Sequence, residues 1–175
     1  MLLVLGMIVS AVVGVFEQVV SQLTIVVCFQ SLILGMAGNA GTQSLAVTIR
    51  VLMDENLTGG QKLRLMFKEM RVGAVNGFLL GLLSLVFIGC YIALVKGRGF
   101  GFGFAVSACI GFSLTIAMLI SSITGTVIPM FFHKVKIDPA VASGPLITTV
   151  NDLVAVVTYY GMTWLLLIHL LQLAE

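Results

Sequence analysis

Apolar residues fill the chain in long runs, and polar residues interrupt those runs at only a few places. The first run covers Met1 to Phe16 and closes on Glu17, Gln18, Ser21 and Gln22. A second extends from Leu23 to Met53, longer than one straight crossing requires, which predicts a tilted or broken helix. Asp54 to Arg71 is polar and charged; within it Thr58-Gly59-Gly60 reads as a turn and Lys62 to Met70 as a short surface helix. Apolar runs resume over Val72–Val95, Phe104–Phe132 and Pro139–Leu173, separated by Lys96-Gly97-Arg98-Gly99 and by His133-Lys134-Val135-Lys136. A bilayer core of about 30 Å takes about 20 helical residues, and unpaired backbone groups are too costly in lipid for anything but helix. The pattern predicts one all-α, polytopic membrane domain over residues 1–175, with five transmembrane helices at 1–16, 23–53, 72–95, 104–132 and 139–173 and an amphipathic loop at 54–71.

Composition points the same way. Hydrophobic residues make up 59% of the chain and charged residues 9%, against about 25% charged in a typical soluble domain. Seven of the sixteen charges fall between Met53 and Arg71, which keeps the other runs apolar. Met1 to Val20 has neither Lys nor Arg, so it reads as a span and not as a signal peptide. A net charge of +2, with its basic residues confined to loops, gives no footprint for nucleic acid. Cys28, Cys90 and Cys109 all lie in apolar segments without a CxxC pair and read as buried, inert thiols.

Basic residues are retained on the cytoplasmic side of membranes. With five spans, Arg50, Lys62, Arg64, Lys68, Arg71, Lys134 and Lys136 share one side, and Lys96 and Arg98 the other. The expected placement is an integral protein of a bacterial plasma membrane, N-terminus cytoplasmic and C-terminus outside.

Chemistry concentrates at two places. Gly35-Met36-Ala37-Gly38-Asn39-Ala40-Gly41-Thr42-Gln43-Ser44 is the densest polar cluster within an apolar run, and its three glycines weaken the helix. It is either backbone lining a watery cavity or a small-residue packing face with Asn39 and Gln43 bonded to a neighbour. In the last run, Thr148, Thr149 and Asn151 lead to Asp152, which is about 13 residues from Pro139, roughly 20 Å into the span. A carboxylate near mid-membrane costs about 2.5–3.5 kcal/mol and is a functional candidate by default. It faces a cavity or a cation, or else it is protonated and paired with a polar neighbour such as Asn39. Thr148 and Asp152 are four residues apart and share a helix face. If two chains met on a two-fold axis, two Asp152 side chains would match one divalent ion. Oxygen ligands suit Mg²⁺, Ca²⁺ or Mn²⁺, and a wide site holding the hydrated ion suits Mg²⁺ in particular.

Other features are weaker. Glu17, at the mouth of the first span, either attracts cations or is an ordinary interfacial carboxylate. Gly73, Gly77 and Gly81 form a doubled GxxxG face that marks a helix pair or a dimer seam. Gly97–Gly103 reads as a flexible loop, His133 and His169 as interfacial, and Pro129 and Gly144-Pro145 as kinks or breaks. Asp138-Pro139 is a good helix start.

Taken together, Phe16-Glu17, the Gly35–Ser44 stretch with Arg50, and Asp138-Pro139-Ala140 through Ser143-Gly144-Pro145 to Thr148-Thr149 and Asp152 stand in the order of the MgtE magnesium transporters. The chain resembles the membrane domain of that family over essentially its whole length. The resemblance implies a homodimer of five-span subunits with the pore at the dimer interface, lined by spans two and five. It implies Asp152 as the selectivity carboxylate and Thr148 and Gly35 as backbone oxygen donors near the ion. Gly38, Asn39 and Thr42 would line the path, and Thr149 and Asn151 are counted with them. Mg²⁺ is the expected cargo, with Mn²⁺, Ca²⁺ and Co²⁺ left open. Members usually carry cytosolic N-terminal and CBS domains; nothing in this sequence corresponds to them, which leaves either the membrane portion of a longer protein or a short homologue regulated by other means or by a partner chain.

Two other classes compete. An intramembrane protease would need a second carboxylate near Asp152, but Glu17 should lie half a membrane away, and no GxGD, HExxH or Ser/His arrangement occurs. No enzyme is expected. A non-transporting membrane scaffold assembled on the Gly73–Gly81 face would leave Asp152 unexplained.

Overall fold

The computed structural model describes residues 2–54 and 57–172. Met1, residues 55–56 of the expected loop, and Leu173 at the end of the last expected span lie outside the described residues. The described chain is all-α: α1 (Leu2–Val15), α2 (Glu17–Gln22), α3 (Val27–Asp54), α4 (Gly59–Cys90), α5 (Phe100–Lys134) and α6 (Pro139–Met162). A 3-10 turn at Thr24–Val26 leads into α3, and α4 and α6 end in wider π turns at Tyr91–Val95 and Thr163–Leu170.

Among the described residues four helical stretches are long and apolar enough to cross a membrane: Thr24–Met53, Gly59–Val95, Phe100–Lys134 and Gly144–Leu170. The first expected span is shorter: α1 is apolar but stops at Val15, and the chain breaks again at Leu23, where φ is −140° and ψ is 71°. Where a tilt, kink or break is open from the sequence, the helices are unbroken. The Gly35–Ser44 stretch remains inside α3, and Pro129 and Pro145 sit inside continuous helices. Helix continuity keeps the backbone groups paired where lipid offers no partner, and membrane helices absorb single prolines by local adjustment.

The polar segment after Asp54 also differs from its expected form. Gly59 and Gly60 open α4 and do not form a separate turn; the helix then runs unbroken through Lys62–Met70 into the apolar span. Thr58 starts it with a capping box: its N–H donates to Gln61 Oε1 at 2.8 Å, and its Oγ1 accepts from the Gln61 N–H at 3.4 Å. Asp138 caps α6 as its sequence predicts, accepting the Ala140 N–H at 2.9 Å with Pro139 in the first turn. Between α4 and α5 the loop is confined to residues 96–99, where the φ of 66° at Gly97 and 81° at Gly99 favour glycine, while residues 100–103 are helical.

Helix α5 is the centre, packed against α3, α4 and α6. Its partner for the expected glycine face is now defined. A Cβ on Gly77 would come within 2.8 Å of Thr115 Cα, and one on Gly81 within 2.9 Å of the Gly111 carbonyl oxygen, so the face is a close α4–α5 contact within one chain. Further along, Gly41 of α3 meets Gly125 of α5 and Asn151 of α6. The core joins Leu23, Val26, Phe29 and Ile33 to Ile110 and Leu114 of α5 and to Val156, Tyr159 and Tyr160 of α6. Of the three thiols expected inside, Cys109 is buried, Cys90 is partly buried and Cys28 is exposed, and all three are free.

Gly77→Leu should therefore lower stability by at least about 1–3 kcal/mol, because the rigid Thr115 backbone cannot yield. Gly14→Ala, where a Cβ meets nothing within 4 Å, should be neutral or stabilising by up to about 1 kcal/mol. Thermal unfolding in detergent distinguishes the two; equal shifts would contradict the assigned contact.

Candidate functional site

Two tyrosines set the register of α3 against α6. Tyr159 Oη donates to the Val26 carbonyl at 2.7 Å, and Tyr160 Oη donates to Gln30 Oε1 at 2.8 Å. With Gly41 against Asn151, these contacts run antiparallel: residues 26–30 meet 159–160, and residue 41 meets 151. Asp152 consequently stands level with the Gly35–Gly41 stretch. It also lies two turns before Tyr159 on the same helix face, so its face is the one turned toward α3.

On α3 Ser31, Gly35, Asn39, Thr42 and Gln43 are exposed, Asn39 and Gln43 on the side toward α4, where they line a groove with Asn76, Leu79 and Leu80. On α6 Thr148 is exposed and Asp152 half-buried. A Cβ on Gly35, Gly38 or Gly144 would meet nothing within 4 Å, so the backbone there borders open space. Thr42 Oγ1 donates its hydrogen to its own helix, at 3.0 Å from the Gly38 carbonyl and 3.1 Å from that of Asn39, and Thr148 Oγ1 donates to the Gly144 carbonyl at 3.1 Å. With their protons so engaged, both hydroxyls present lone pairs outward, the polarity a cation needs. Among the described residues no three His, Cys, Asp or Glu side chains gather into a metal-holding group.

The other expected site residues fall elsewhere. Asn151 is fully buried, not exposed on this face: its Oδ1 accepts from Thr124 Oγ1 at 3.0 Å, and it wedges against Gly41 where α3, α5 and α6 meet. Its Nδ2 is buried without a partner among the described atoms. Thr149 is also buried and donates to the Pro145 carbonyl at 3.0 Å. Glu17 is exposed, next to Phe16, which stacks on Tyr160 at 5.7 Å, so it sits toward the far end of α6 and not beside Asp152.

One polar residue escapes the sequence reading. Glu69 lies in the Lys62–Met70 segment that reads as a surface helix, yet it is only 5% exposed and accepts a hydrogen bond from Ser44 Oγ at 3.0 Å, tying α4 to α3 two residues past Thr42. The signal was present: Glu69 precedes Gly73, Gly77 and Gly81 at steps of four, on the buried face of α4. Gln43, Asn76 and Ser122 line the same groove, of about 490 Å³.

Fold and site define a polytopic helical membrane protein that carries a polar face at the depth of its apolar spans. The sequence profile of the MgtE family, described as divalent cation transporter, matches residues 30–162. Magnesium transporter MgtE of Bacillus subtilis is 37% identical over 166 residues, covering 93% of this chain and 34% of that protein. The Enterococcus faecalis protein of the same name is 38% identical over 161 residues, covering 92% of this chain and 34% of its own length, and the Thermus thermophilus one 28% over 167, covering 95% and 35%. The chain belongs to the MgtE family, and it spans about a third of the length of the relatives it matches.

Removing the Glu69 carboxylate leaves the Ser44 hydroxyl without an acceptor inside a packed contact, so Glu69→Ala should destabilise by about 1–3 kcal/mol. Glu69→Gln, which keeps an acceptor, should cost less in the same thermal scan. If the two variants behave alike, the Ser44 bond does not hold α3 to α4.

Proposed function

We propose that the chain passes divalent cations, Mg²⁺ first among them, along the α3–α6 face, with the Asp152 carboxylate at its narrowest electrostatic point. The observation that carries this reading is that Gly35 and Thr42 of α3 and Thr148 and Asp152 of α6, level with one another in the helix register, are left open or half-open by a single chain, with Asn39 exposed beside them toward α4. Lipid is a poor neighbour for this stripe: a carboxylate near the bilayer centre costs about 2.5–3.5 kcal/mol and is normally met by a cavity, a partner or a cation. Water along the stripe, and a second copy across it, would satisfy every group at once. Two Asp152 carboxylates on a two-fold axis balance one divalent charge.

Sparse ligation favours Mg²⁺ on chemical grounds. This ion dehydrates reluctantly and keeps several waters, so one carboxylate per chain with hydroxyl and carbonyl oxygens around it is an adequate set. Asp152, Thr148 and Gly35 are the residues assigned to the ion, and Gly38, Asn39 and Thr42 line the approach. The names of the relatives support the same cargo.

A fifth span is part of the proposal. Together α1 and α2 cover residues 2–22, which at 1.5 Å per residue reaches about 31 Å, close to the core thickness of a bilayer. The chain would then begin on the cytoplasmic side, with Arg50, Lys62, Arg64, Lys68, Arg71, Lys134 and Lys136 inside.

Mg²⁺ entry into proteoliposomes containing an internal dye tests the reading. The unaltered chain should admit Mg²⁺, and Asp152→Ala should reduce the initial rate by at least about tenfold while eluting as the same oligomer, since a midplane charge is lost. Asp152→Asn should retain the fold and lose divalent selectivity. Undiminished Mg²⁺ entry through Asp152→Ala would overturn the assignment.

A further inference from the structure

We infer that the groove between the end of α3 and the start of α4 binds the phosphate headgroup of an anionic phospholipid. It is a groove of about 840 Å³ with Val51 of α3 on one side and Arg64, Lys68 and Arg71 of α4 on the other. The three cations are spaced by four and three residues, so they stand on one helix face. None forms an ion pair among the described residues, and the nearby Glu69 carboxylate is turned inward to Ser44. Asp54 and Glu55 precede them in the chain.

The surroundings fit a lipid better than a soluble anion. Leu63 and Phe67 are 52% and 45% exposed among the cations, as expected of a helix segment at a membrane surface. One turn further, Val75, Phe78, Leu79 and Leu82 form an exposed apolar stripe that continues down α4. A headgroup held by Arg64, Lys68 and Arg71 would lay its acyl chains along that stripe. Basic pockets between membrane helices recognise anionic headgroups in this manner. The inference rests on the membrane placement of α3 and α4, not on the cation path along α3 and α6.

Native mass spectrometry of the purified chain, titrated with phosphatidylglycerol or phosphatidylcholine, tests it without reference to transport. The unaltered chain should bind phosphatidylglycerol at least about tenfold more tightly, with a preference that weakens as salt is raised. Arg64→Gln/Lys68→Gln/Arg71→Gln should abolish the preference, whereas Lys134→Gln/Lys136→Gln, with less charge removed near the same end, should preserve it. Asp54→Asn/Glu55→Gln should keep or strengthen it. Millimolar inorganic phosphate should neither displace the lipid nor raise the unfolding temperature. A preference that survives the triple change, vanishes equally in the Lys134/Lys136 variant, or is absent from the unaltered chain would overturn the inference. Stabilisation by inorganic phosphate equal to that by lipid would reassign the groove to a soluble anion.

Discussion

Hydrocarbon provides no hydrogen-bond partner, and nearly every polar group in these helices is arranged around that constraint. The buried hydroxyls of Ser113 and Thr126 donate to carbonyls one turn back on α5, at 2.8 and 2.9 Å. Tyr159 reaches across to the Val26 carbonyl, Tyr160 to Gln30, and Ser44 to Glu69. Thr48 Oγ1, Ser121 Oγ and Asn151 Nδ2 are buried without a partner among the described atoms, but the α3–α6 stripe differs in kind: its hydroxyls are internally bonded, while Gly35, Gly38 and the half-buried Asp152 border open space. In the proposed function that space is taken by water, the ion and a second copy.

Small residues make that exposure possible. By letting α4 and α5 meet at Gly77 and Gly81, the fold uses one helix pair as a rigid slab. Where α3 and α5 meet at Gly41 and Gly125, the Asn151 side chain fills the corner with α6. The corner fixes which face of α6 looks at α3, and Asp152 is the next residue along. Asn151 thus acts on the site through geometry, as a wedge, while its neighbour presents the charge.

Much of this was legible in the sequence, for identifiable reasons. Long apolar runs define α3 to α6 because lipid tolerates so few alternatives, and Asp152 stands out because carboxylates are rare within such apolar runs. The glycine spacing on α4 announces a close helix contact, although spacing alone cannot say whether the partner is α5 or another chain. Other features were hidden. Glycine and proline left a tilt, kink or break open in α3, α5 and α6; the helices are continuous, since backbone pairing outweighs the intrinsic preference of those residues to interrupt. Glu69 was masked by the cations flanking it, since charge density suggested a solvated loop, when its position on the glycine face determined its burial. Thr149 and Asn151 sit beside Thr148 and Asp152 in sequence, yet a helix turns by about 100° per residue and carries them off that face to opposite flanks, where each is buried.

Cysteine accessibility reads most directly whether the α3–α6 face is wet at membrane depth. With Cys28, Cys90 and Cys109 replaced by serine or alanine, Thr42→Cys, Thr148→Cys and Leu82→Cys would be treated in liposomes with a charged, membrane-impermeant thiol reagent. The predicted result is modification at Thr42→Cys and Thr148→Cys, slowed by Mg²⁺, and none at Leu82→Cys, exposed on the apolar side of α4. Equal inertness at all three positions would mean that the stripe is sealed against lipid or protein, and the account of a cation path would be wrong.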